Sequence, residues 1–106
     1  MSNQRIQYVR DESGHPNVTV AWEVDKLGQG TVVVNYAWAR RNPKDKVINK
    51  KVGRSIALNR LTVGSERLQQ GGDRLPSQFS TIELELVGNS VAKTVTKFIR
   101  GQFNDA

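Results

Sequence analysis

The sequence predicts an α+β fold. A small antiparallel sheet, made of a hairpin over 17–41 and a strand near 80–87, packs with two helices over about 46–61 and 90–100. Three patterns carry this. Val18, Val20, Trp22 and Val24 alternate with less apolar residues, and so do Val32, Val34, Tyr36 and Trp38; period two with β-branched and aromatic residues marks strands. Ile82, Leu84 and Leu86 alternate with Glu83 and Glu85 in the same way. Ile48, Val52, Ile56 and Val63, and then Val91, Val95, Phe98 and Ile99, recur at helical spacing.

In chain order, Ile6 and Tyr8 alternate with polar residues, as a short edge strand would, and Asp11 to Pro16 has the composition of a turn. The hairpin follows, with one face expected to be buried. Its loop holds Gly28 and Gly30, both able to take positive φ. Trp22 and Trp38 fall on the apolar faces of neighbouring strands and belong to one core. Pro43 ends the second strand, because it lacks the N–H that a ladder needs. Asp45 or Asn49 can cap the first helix. That helix carries two apolar stripes, the second formed by Val47, Leu58 and Leu61, which predicts burial on two sides or a stripe held for a partner chain. Gly53 inside it allows another backbone to approach. The polar stretch 65–80 reads as a loop, expected to be mobile. The second helix is expected to fray after Gly101.

With 106 residues the chain suits one domain over 1–106, large enough to bury a core without disulfides or metal. It has no cysteine, which excludes thiol chemistry and cysteine zinc sites and fits a reducing, cytoplasmic setting. The first residues contain no apolar run, so neither a signal peptide nor an anchor is expected, and no membrane partner.

The residues argue against an enzyme. The one histidine, His15, sits in a glycine-proline turn, and no nucleophile elbow, phosphate loop or metalloprotease motif occurs. Glu83 and Glu85 read as the solvent side of a strand. Asp25, Asp45 and Asp73 lack metal-ligand spacing, so no metal or cofactor is expected.

The charge is more informative. The net charge is +6, yet the 40–60 segment alone holds eight basic residues against one acidic, a local +7. These are Arg40, Arg41, Lys44, Lys46, Lys50, Lys51, Arg54 and Arg60, opposed by Asp45. Charge so nearly unopposed, spread over a strand end, a turn and a helix start, is the footprint of an anion-facing surface. A helix N-terminus adds its partial positive charge and free N–H groups. Tyr8, Phe79 and Phe103, outside the expected core, remain possible contacts for bases.

The stretch NPKDKVINKKVGRSIALNRL, after an aromatic-containing strand, resembles a pattern of small bacteriophage accessory proteins over residues 31–64. The resemblance implies a viral protein in the host cytosol, of a kind that counters bacterial defences by blocking a nucleic-acid-guided complex or sequestering a nucleotide signal. It implies no site residue. Three roles stay open for the basic segment. It could bind nucleic acid or a nucleoprotein complex, capture a phosphorylated nucleotide between subunits of a homo-oligomer, or inhibit an acidic host protein.

Overall fold

Antiparallel pairing follows from the alternation just described, and it extends to four strands. The computed structural model describes residues 3–42, 49–72 and 74–104. Strands β1 (Arg5–Arg10), β2 (Pro16–Leu27) and β3 (Thr31–Arg40) are followed by helix α1 (Lys50–Gln69), strand β4 (Phe79–Glu85) and helix α2 (Val91–Phe103). The sheet order is β1-β2-β3-β4, all antiparallel. The α+β class, the hairpin and both helices are as the sequence predicts.

The hairpin pairs Val20 with Trp38 and Trp22 with Tyr36. Val18, Val20, Trp22, Val32, Val34 and Tyr36 therefore share one face, where they meet Val95, Ile99 and Phe103 of α2. Ser90 caps α2 by accepting a hydrogen bond from the Lys93 N–H. The helix does not fray at Gly101. It continues to Phe103, whose ring lies 5.2 Å from that of Trp38 and 6.2 Å from that of Tyr36. Phe103 is thus core rather than a free contact.

The expectation of a single buried face is corrected. Ala21, Ala37 and Ala39 point to the opposite side and are buried under Ala57 and Leu61 of α1, with Phe79 of β4. Two helices sandwich the sheet, and each strand face has its own core. The α1 side uses small residues because the helix approaches closely. A Cβ on Gly53 would come within 2.9 Å of Thr19 Oγ1, so the approach that Gly53 permits is by a side chain and not by a backbone. The buried positions of α1 are Ala57, Leu61, Gly64 and Ser65. Ser65 Oγ donates to the buried Glu23 Oε1 at 3.2 Å, tying α1 to β2.

The two apolar stripes expected on α1 are not its packing surface. Val52 and Ile56 are exposed, and Leu58 and Val63 half-buried; only Leu61 is fully enclosed. Val47 and Ile48 lie outside the described residues. Asn49 is the N-cap, accepting from the Val52 N–H at 3.2 Å, and Asp45 lies outside the described residues. The helix runs on through Gly64 to Gln69, so the expected loop over 65–80 shrinks to the connection before Phe79. Phe79, like Phe103, is core. No helix among the described residues is long and apolar enough to cross a membrane.

Candidate anion-binding site

Strand parity decides where the basic segment goes. Arg40 follows Trp38 onto the α2 side, and its guanidinium carbon lies 5.8 Å from the centroid of the Phe103 ring. Arg41 closes the end of the hairpin, where its N–H donates to Asn17 O at 2.8 Å. It is half-buried on the α1 side. Lys44 and Lys46 lie outside the described residues.

The remaining four candidates sit on α1, and helical spacing separates them. Two contacts fix which flank faces β1. Lys50 Nζ lies 5.4 Å from the Tyr8 ring centroid, and Gln4 Nε2 donates to Thr62 Oγ1 at 3.2 Å. Lys51 and Arg54 fall on that same flank and are exposed. Arg60 falls on the other flank, towards β3 and β4. Its Nη1 donates to Trp38 O at 2.8 Å, within reach because β4 begins opposite Ala37 and leaves the next carbonyl without a ladder partner. Arg60 is held by the fold through this bond.

Arg41, Lys50, Lys51 and Arg54 therefore surround the start of α1. None pairs with a carboxylate among the described residues, and the first turn of α1 carries no acidic residue. Between the hairpin end and the helix start lies an open groove of about 400 Å³, with Arg41 and Lys50 in its wall. No family model, curated protein or solved structure matches this chain.

Tyr8, of the three aromatic residues expected as contacts, is the one that adjoins the site: it lies beside Lys50, although it is far away in the chain, and the β1–β2 pairing brings it there. The groove escaped the sequence reading, since it arises from packing between two elements. Among the described residues, no group of three or more His, Cys, Asp or Glu could hold a metal ion. Glu83 and Glu85 are exposed on β4, and His15 sits exposed in the Asp11–Pro16 turn, accepted by Asp11 Oδ1 at 2.9 Å through its N–H. The site offers positive charge, hydrogen-bond donors and an adjoining concavity, which is chemistry for binding.

Proposed function

We propose that this protein is a non-enzymatic binder of nucleic acid, or of the nucleic-acid channel of a nucleoprotein complex, through the end of β3 and the first turns of α1. One observation carries the reading: Arg41, Lys50, Lys51 and Arg54 gather around one helix start with no carboxylate partner among the described residues. Cations that share one helix start repel one another, and phosphates relieve that repulsion while releasing counterions. The resemblance to phage accessory proteins supplies a setting, in which blocking a nucleic-acid-guided defence complex is the role.

The test is a polarisation titration with DNA and RNA at low and rising salt. Four phosphate contacts give a slope of log affinity against log salt of about −3. Absence of binding to any nucleic acid at low salt sinks the reading. Pull-down before and after nuclease treatment then separates a nucleic-acid partner, lost with nuclease, from an acidic protein, which is retained.

A further inference from the structure

Neutralising phosphates requires only a flat basic surface. This surface is not flat. Its groove of about 400 Å³ has a cationic end at Arg41 and Lys50 and apolar walls from Pro16, Ala39, Val52 and Ile56. That volume and that mix match a small-ligand pocket, in which apolar walls hold a ring and a few polar groups fix its orientation. Val52 is 50% exposed and Ile56 39% exposed, although α1 buries smaller residues against the sheet. Two large aliphatic side chains left at the rim of a basic groove are poorly suited to phosphate and well suited to the face of a base.

Arg41 adds a donor. Its Nε is shut off from solvent and has no hydrogen-bond partner among the described residues. An N–H in that state is costly to the folded chain, and turning the guanidinium towards an acceptor in the groove forfeits no internal bond at that atom. Arginine also grips phosphate with two parallel N–H groups.

We infer that the groove seats one unpaired nucleotide of a single strand. Its phosphate lies on Arg41 and Lys50, and its base lies against Val52 and Ile56. The neighbouring phosphates pass around the helix start to Lys51 and Arg54. This rests on the proposed nucleic-acid partner and narrows it, because bases stacked within a duplex cannot reach the groove walls without being unstacked.

The test compares wild type with the double variant Val52→Ala/Ile56→Ala on three ligands: a single-stranded oligonucleotide, the duplex of the same sequence, and a free nucleoside triphosphate. Wild type should prefer the strand over the duplex by about tenfold. The variant should lose about tenfold on the strand while staying within about twofold on the duplex, at an unchanged melting temperature. Equal binding of strand and duplex by wild type overturns the inference while leaving the nucleic-acid reading intact. So does a loss by the variant that is the same for both, or a free nucleotide bound as tightly as the strand. Binding to none of the three overturns the nucleic-acid reading itself. Photocrosslinking of an iodouridine-bearing strand to wild type gives a readout that needs no variant. Adducts on the groove peptide 49–56 support the seat, and adducts confined to other peptides overturn it.

Discussion

Gly64 of α1 lies against the ring of Phe79 on β4, so close that a Cβ at position 64 would overlap the ring carbons. Phe79 is 6% exposed, so the ring has little room to retreat. Gly64→Ala gains about 1 kcal/mol of helix propensity and loses about 1–3 kcal/mol to overpacking. The expected outcome is a lower melting temperature. Phe79→Leu, which shortens the ring, should recover part of the loss in the double variant. A double-mutant cycle showing strict additivity would mean that the two residues do not compete for this space.

Arg60 separates a basic residue of the fold from the basic residues of the surface. Its Nη1 satisfies Trp38 O at 2.8 Å in a half-buried position. Arg60→Met keeps much of the apolar stem and removes the donor. It should cost about 1–3 kcal/mol in denaturant unfolding, because the carbonyl loses its partner. The salt slope for nucleic-acid binding should be unchanged. A slope that drops by about one unit instead places Arg60 in the interface.

The hairpin and α2 were legible because their buried residues are large and periodic. The α1 side of the sheet was not. Ala21, Ala37 and Ala39 look like the exposed face of an alternating strand, and Gly53, Ala57 and Gly64 look like gaps in an apolar stripe. Small residues on both partners mean a close approach, which is a property of the pair and is invisible in either segment alone. The larger Val52 and Ile56 drew the expected stripe onto the groove rim instead. The basic segment was legible as a quantity of charge but not as a surface. Alternation along β3 sends Arg40 to the Phe103 ring and Arg41 to the groove, and an unfinished ladder claims Arg60. Tyr8 enters the site only through tertiary pairing.

Phe103 tests the extent of α2. The ring is 3% exposed and stacks its edge against Tyr36 and its tilted face near Trp38. Phe103→Ala should cost about 3–5 kcal/mol, the range for deleting a buried aromatic. That is a large share of the stability of a small domain. Equal melting temperatures for Phe103→Ala and wild type would remove Phe103 from the core.

The triple variant Lys50→Glu/Lys51→Glu/Arg54→Glu separates function from stability. All three residues are exposed, and the first turn of α1 holds no acidic residue. Negative charge at a helix start favours the helix by about 0.3–1 kcal/mol per suitable site. Against this, Lys50 gives up its place over Tyr8, worth about 0.5–1 kcal/mol at an exposed position. The two effects are of similar size, so the melting temperature should move by only a few degrees in either direction. Binding responds quite differently. Three attractive contacts become repulsive, and the remaining cation of the cluster, Arg41, cannot hold a phosphate backbone by itself. Affinity should fall below detection at physiological salt, with the salt slope at lower salt reduced by about two units. Circular dichroism and a polarisation titration on the same sample decide the matter. An unfolded variant makes these lysines and this arginine part of the fold, and a folded variant that binds as wild type moves the anionic partner to another surface.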